Sequence, residues 1–251
     1  MTTDGHDSVR MNALERARAM LRGAGCVVAF TGAGISVESG IPPFRGEDGI
    51  WERYDPACLE LDFFRAHPAR AWEAIRELFY TQFAGVLPNA AHSTLADMER
   101  RGHLAAVITQ NIDGLHHAAG SRVVHEYHGN ARRLRCMLCD AVEDATPGRL
   151  AALPPRCACG GVYKPDFVFF GEAIPDEVHR LSLRAVQAAD VLLVVGTTGE
   201  VYPAAQLPRL ARQHGAAIVE INTEASAFTR QVADVFLQGK AGSIVPLLAR
   251  D

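Results

Sequence analysis

Apolar positions along the chain alternate between short continuous runs and helically spaced stripes. Residues 11–22 carry Leu14, Ala17 and Leu21 at helical spacing and stop at Gly23, which predicts an amphipathic helix with a glycine end. Cys26-Val27-Val28-Ala29-Phe30 is an unbroken apolar run ending at Thr31-Gly32-Ala33-Gly34, a buried strand that feeds a glycine turn. Asn89 suits the cap of a helix over 89–101 that ends before Gly102. Leu104 to Ile108 is again strand-like and ends at Thr109-Gln110-Asn111-Ile112-Asp113. The second half repeats the rhythm. Asp176 to Ala189 places Val178, Leu181 and Ala185 on one helical face. Val191 to Val195 is the strongest strand and ends at Gly196-Thr197-Thr198-Gly199. A helix follows Pro203, and Pro208 should kink or split it. Ala217 to Ile221 is a strand ending at Asn222-Thr223-Glu224, and Val235-Phe236-Leu237 runs into Gly239-Lys240-Ala241-Gly242.

Continuous apolar strands alternating with helices predict an α/β fold built on a doubly wound parallel sheet. Ligands bind such sheets beyond the carboxyl ends of the strands, so the polar turns above should line one cleft. Two stretches break the rhythm. Residues 46–88 are aromatic-rich without a strand signal, and residues 131–164 hold a cysteine cluster. Both read as inserts forming a smaller lobe, which leaves 1–45, 89–130 and 165–251 to the main domain.

Composition narrows the function classes. The chain has 251 residues and a net charge of -4, so no basic excess drives sequence-independent nucleic-acid or anionic-membrane binding. No apolar run approaches the roughly 20 residues that span a bilayer. The polar start, Met1 to Asp7, lacks a basic and then apolar leader, and a cytoplasmic location is expected. Four of the six cysteines cluster as Cys136-x-x-Cys139 and Cys157-x-Cys159. Two thiolate pairs at this separation match a closed tetrahedral zinc ribbon, a site that holds structure and does not activate water.

Other candidates are individually weaker. Gly32-Ala33-Gly34-Ile35-Ser36 follows a strand as a dinucleotide-binding turn does, but Val37 stands where the fingerprint needs its last glycine. A tight strand-to-helix connection explains it equally well. Gly40-Ile41-Pro42-Pro43-Phe44-Arg45-Gly46 presents an aromatic ring and a guanidinium on a proline-stiffened loop, suited to a flat ring and a phosphate. Gln110, Asn111 and Asp113 could read hydroxyls and a carboxamide, or simply cap their own turn. His128 could accept a proton at neutral pH. By pattern alone, His125, His116 and His117 are nearly as good.

Together these motifs resemble the sirtuins, NAD-dependent protein lysine deacylases, of bacterial or archaeal type. The ordered set is GAGIS at 32–36, GIPPFR at 40–45, TQNID at 109–113, HG at 128–129 and the cysteine pairs, then VFFGE at 168–172, GTT at 196–198, INTE at 221–224 and GKAG at 239–242. The resemblance implies a Rossmann-like NAD-binding domain and a small lobe made of a helical insert and a zinc ribbon. His128 would be the general base. Gln110, Asn111 and Asp113 would hold the nicotinamide ribose and carboxamide of NAD, Ala33, Phe44 and Arg45 would form the cofactor loop, and Gly32, Gly34 and Ser36 would also bind the cofactor. Gly196, Thr197, Thr198, Asn222, Thr223, Glu224 and Ala241 would serve its phosphates and adenosine. Val168, Phe169, Phe170 and Gly171 would lie beside the acyl-lysine and take the peptide as an added strand. Cys136, Cys139, Cys157 and Cys159 would hold one structural zinc ion. The implied partners are acyl-lysine proteins, without membrane or sequence-specific nucleic acid; the resemblance leaves the oligomeric state open and is compatible with a monomer.

The chain departs from the family at Pro43, where many members have Asp, and at Val37, where many have Thr or Ser. Members acting on succinyl- or malonyl-lysine carry a Tyr-x-x-Arg pair in the small-lobe helix. Alignment puts Ile75 and Leu78 there, so an apolar pocket and a preference for neutral acyl groups are expected. Rival functions for such a chain are a dehydrogenase, an ADP-ribosyltransferase and a zinc-ribbon module binding nucleic acid through Arg132, Arg133 and Arg135.

Overall fold

The computed structural model describes residues 3–44, 49–52 and 54–249, with side chains described from Met11 onward. In chain order the strands are β1 (Val27–Thr31), β2 (Ala106–Thr109), β3 (Val124–Glu126), β4 (Gly129–Cys136), β5 (Val142–Asp144), β6 (Tyr163–Phe167), β7 (Val191–Val195), β8 (Ala217–Asn222) and β9 (Val235–Gln238). The helices are α1 (Thr3–Gly23), α2 (Leu61–Ala66), α3 (Pro68–Ile75), α4 (Ala90–Arg100), α5 (Leu115–Ala118), α6 (Asp176–Ala188), α7 (Gln206–Gln213) and α8 (Ala241–Leu248).

Six strands form one parallel sheet in the order β3-β2-β1-β7-β8-β9. The chain winds outward from β1 to β3, returns, and winds outward again from β7. The reversal between β1 and β7 is the crevice where doubly wound sheets bind ligands. The expected Rossmann-like core is therefore present.

The strands read as unbroken apolar runs because helices cover both faces. Val27, Ala29, Leu193 and Val195 point to one side, where Leu14 and Ala17 of α1, Leu95 of α4 and Ile244 of α8 close over them. Val28, Phe30, Leu192 and Val194 point to the other, against Val186 of α6 and Leu207 of α7. Each buried Val, Leu, Ile or Phe among them contributes about 1.5–3 kcal/mol of apolar transfer free energy.

A second sheet, antiparallel and ordered β5-β4-β6, stands apart. Its face shares a core with the 46–88 insert: Trp72, Ile75, Leu78 and Phe79 pack with Leu134, Tyr163 and Phe167. The Trp72 indole N–H donates to the Tyr163 carbonyl at 2.7 Å, so its one buried donor is satisfied.

Two local expectations change. Residues between Pro203 and Gln206 form turns, and Pro208 sits within the first turn of α7. Pro there neither kinks nor splits the helix, because first-turn N–H groups have no helical acceptor to lose. Helix α8 has no clear sequence signal. Gly242 and Pro246 argue against it, yet Ile244, Val245 and Leu248 are buried along one side of it.

Candidate functional site

The carboxyl ends of the parallel strands open into a cleft of about 1000 Å³, at the upper end of small-molecule sites. Its lining includes Gly32, Ala33, Gly34, Gln110, Asn111, Gly196, Thr197, Thr198, Asn222, Thr223, Glu224 and Ala241. It also includes Phe44, His128, Val168, Phe169, Phe170 and Gly171. Eighteen positions singled out from the sequence thus meet in one place. Arg45 lies outside the described residues.

The glycine turn has a geometric cause. Gly34 N–H donates to Gly196 O at 2.9 Å, and Gly32 N–H donates to Val195 O at 3.0 Å. A Cβ on Gly34 would stand 2.6 Å from Gly196 Cα, and one on Gly196 would stand 2.5 Å from Ile35 N. The turns after β1 and β7 therefore touch backbone to backbone at the sheet's switch point. This leaves a floor without side chains, against which an extended, phosphate-bearing ligand fits.

The polar cluster is arranged in depth. Gln110 Nε2–H donates to Thr197 Oγ1 at 3.0 Å. Asn111 Nδ2–H donates to Gly32 O at 3.1 Å and Ser36 Oγ at 3.2 Å. Ser36 Oγ–H in turn donates to Asp113 Oδ2 at 2.7 Å, and Leu115 N–H donates to Asp113 Oδ1 at 2.9 Å. Ser36 and Asp113 are thus not among the lining residues and stand behind Asn111. Burial pushes the Asp113 carboxyl up, and the bonds from Leu115 and Ser36 hold it down in part.

Behind them His116, raised by the sequence as a candidate base, pairs with His92, which was not. The rings of His92 and His116 meet edge to face, 4.9 Å apart. His92 Nδ1 accepts the Asn89 N–H at 3.3 Å, in a capping box at the start of α4. His116 Nε2 lies 2.9 Å from Thr31 Oγ1, whose proton goes to Thr109 Oγ1. Burial lowers His92 to about 4 and His116 well below its ordinary value, so both are neutral. His116 is excluded as a base facing ligand. His125 sits on edge strand β3, and His117 lies 3.6 Å from Glu126.

Among the histidines raised by the sequence, His128 is the one lining the cleft. Its Nδ1 is 3.1 Å from Gln110 O. A carbonyl only accepts, so Nδ1 carries the proton and Nε2 keeps its lone pair. Burial lowers the imidazole's affinity for a second proton, and the Gln110 carbonyl offsets this in part. The neutral, proton-accepting form is thereby favoured. Gly129 follows with φ 75°, and a Cβ there would stand 2.3 Å from Asp166 O. This close crossing of β4 and β6 lets Val168 N–H donate to His128 O at 2.8 Å.

The segment after β6 is held on several sides. Phe169 N–H donates to Glu172 Oε2 at 2.7 Å. Phe170 N–H donates to Leu59 O at 2.9 Å, and Leu61 N–H returns a bond to Phe170 O at 3.0 Å. Next to it stands an aromatic wall. Phe44 lies 5.5 Å from Trp51 and 6.3 Å from Phe79, and Phe79 lies 5.2 Å from Phe167. The acyl-side lining differs from the one expected. Ile75 and Leu78 are fully buried in the small-lobe core, and the residue of that helix reaching the cleft is Phe79. A π-helical turn over Arg76–Thr81 shifts which face is presented, a change that aligned spacing does not show. Trp51, Ile112 and Glu38, which the sequence did not single out as site residues, also line the cleft. Glu38 accepts the Gly242 N–H at 2.6 Å at the start of α8.

The cysteine pairs converge away from the cleft lining. Their four sulfurs lie within 4.8 Å of one another, with Cys136–Cys159 at 3.5 Å and Cys139–Cys157 at 3.7 Å. Four sulfurs at 2.3 Å from a tetrahedral zinc ion stand about 3.8 Å apart, so the donor set and spacing fit zinc. In the neighbouring basic run, Arg132 pairs with Glu126 at 2.8 Å and Arg135 with Asp166 at 2.9 Å.

Comparisons with known proteins agree with the fold. The Sir2 family model matches residues 32–203. The chain is 47% identical over 231 residues to NAD-dependent protein deacylase 2 of Pyrobaculum aerophilum, covering 90% of each chain. It superposes with TM-score 0.88 on a mutant Sir2 homologue in complex with ADP-ribose, at 40% identity, covering 94% of this chain and 95% of the other. It also superposes with TM-score 0.83 on a Sir2–p53 peptide–NAD+ complex, at 33% identity, covering 91% and 93%. With more than half of its length matched by the family model and identities well above 30%, the chain belongs to the Sir2 family.

Proposed function

We propose that the protein is an NAD-dependent protein lysine deacylase, removing acetyl or other neutral acyl groups and giving nicotinamide and O-acyl-ADP-ribose. The observation that carries this is the position of His128. A neutral imidazole with Nε2 free lines the cleft, and its own carbonyl is bonded to Val168 of the facing segment. A base and a peptide-binding segment are thus fixed to each other across from a glycine-floored crevice.

NAD, when bound, supplies an anomeric carbon whose bond to nicotinamide is weakened by the positive ring nitrogen. Gln110, Asn111 and Asp113 would hold the carboxamide and ribose, with Ser36 orienting Asn111 and Asp113 from behind. Ala33, Phe44 and Arg45 would form the cofactor loop. Gly196, Thr197, Thr198, Asn222, Thr223 and Glu224 would take the phosphates and the adenosine ribose, with Ala241 at the adenine. Val168, Phe169, Phe170 and Gly171 would direct the acyl oxygen at the sugar. Three of their N–H groups are already engaged, so an added peptide strand pairs through the groups that remain. His128 Nε2 would accept the proton of a ribose hydroxyl, freeing that oxygen to attack the acyl carbon.

Residues 1–45, 89–130 and 165–251 would make the NAD-binding domain. Residues 46–88 and 131–164 would make the smaller lobe, whose one zinc ion, on Cys136, Cys139, Cys157 and Cys159, is structural. The shared core of the two inserts supports this division. None of the described helices is long and apolar enough to cross a membrane, and the clustered, reduced cysteines favour the cytoplasm.

The test is to incubate the purified, zinc-replete protein with NAD and acyl-lysine peptides and weigh the products. Free nicotinamide and O-acyl-ADP-ribose are expected. ADP-ribose left on a protein, reduced nicotinamide, or intact NAD would each overturn the proposal.

A further inference from the structure

Lys164 is an ammonium buried where ammoniums are costly. It lies in β6, is 5% exposed, and sits over the Phe169 ring, 4.2 Å from its centroid. Its Nζ donates to Pro165 O at 3.0 Å, Phe167 O at 2.5 Å and Glu172 Oε2 at 2.9 Å. The same carboxylate oxygen accepts the Phe169 N–H at 2.7 Å. All three ammonium protons are used, and the partners come from both ends of the turn after β6. Stability alone gives little reason for such a group, since a buried ion pair is often no better than apolar residues of the same volume. What the pair does fix is a conformation. It ties Pro165, Phe167, Phe169 and Glu172 around one point, with Val168 between them bonded to His128 O.

We propose that Lys164, with Glu172, is a positioning residue that sets the segment 167–171 for the acyl-lysine. This rests on the deacylase reading. Without the ammonium, the Pro165 and Phe167 carbonyls lose their shared donor and the segment relaxes, while the turns after β1, β7 and β8 are untouched. The defect therefore belongs to the peptide and not to NAD.

The test measures Lys164→Met and Glu172→Gln against the wild-type protein. The expected result is a KM for acetyl-lysine peptide raised about tenfold or more, on the scale of a lost charge-assisted hydrogen bond, with the KM for NAD within about twofold of wild type. Anisotropy of a labelled acetyl-lysine peptide should show the same weakening without turnover. The double variant, which removes both charges, should recover thermal stability but not peptide affinity. If Lys164→Met fails to fold, Glu172→Gln, which keeps an acceptor for the Phe169 amide, carries the test. Unchanged peptide KM and affinity in folded variants overturn the inference. So does a KM for NAD that rises in step with that for peptide. A wild-type protein inactive on every acyl peptide would instead sink the deacylase reading itself.

Discussion

At the scale of single residues, the site depends on which protons are where. His128 keeps Nε2 unprotonated because burial lowers its pKa below the ordinary 6.5 while Gln110 O holds the Nδ1 proton. Deacylation (kcat/KM) should therefore rise with pH through a value below 6.5 and be flat by neutrality. His128→Ala should lower it by about 10²–10⁴ with fold and zinc retained; a rate equal to wild type would remove the assignment. The His92–His116 pair makes a separate claim, about stability. Both are neutral when folded, His92 down to about 4, and both take a proton near 6.5 when unfolded. Below 6.5 the unfolded chain binds more protons, so stability is lost as the pH falls from 6.5 to about 4. For His92 the slope is about 1.4 kcal/mol per pH unit. Urea unfolding across this range should show the decline, and His92→Gln should flatten it by that slope. A wild-type profile already level there would refute it.

At the scale of elements, the zinc ribbon is a strut. Tyr163 and Cys136 are paired neighbours in β6 and β4, so the metal clamps the far end of the two strands whose near ends meet at His128. Stripping zinc should loosen this sheet and abolish deacylation, while the parallel sheet, with its own two cores, persists. Both tryptophans, Trp51 and Trp72, belong to the small-lobe cluster. Their emission should shift to the red on chelation, with little loss of far-ultraviolet ellipticity, and return when zinc is restored. Unchanged emission and activity in metal-free protein would contradict the strut. Elements of this kind were legible in unequal measure. Val191–Val195 announced itself because a strand buried on both faces has no polar positions to blur it. The cysteine pairs did so because ligand spacing is local. The π-helical turn that aims Phe79 left no trace in the spacing of Ile75 and Leu78, and α8 was hidden by Gly242 and Pro246. Both are decided by packing against parts of the chain far away in sequence.

At the scale of the whole molecule, selectivity follows from what lines the cleft. Its described charged side chains are Glu38, Glu172, Glu200, Glu224 and Lys240, and the wall beside His128 is Phe44, Phe79, Phe167 and Phe169. A succinyl carboxylate would be desolvated against aromatic rings in a field that is net acidic. Succinyl-lysine peptide should be turned over at least about 100-fold less efficiently than acetyl-lysine peptide, the size of a few kcal/mol of unpaired burial. Equal rates would show the pocket to be misjudged. Most cleft residues in the ordered motifs could be found in the sequence because they follow a strand end, where topology gathers them. Glu38, Trp51 and the His92–His116 pair could not, since only the folded chain brings them near the others.

The hydrogen bond from Val168 to His128 joins the two feet of the 129–167 excursion. A loop fastened at its base, and paired from Gly129 and Phe167 out to Cys136 and Tyr163, acts as a braced bracket. Length added or trimmed beyond the metal-bearing end should leave the fastened root where it is, whereas change between the metal and the root should reach His128.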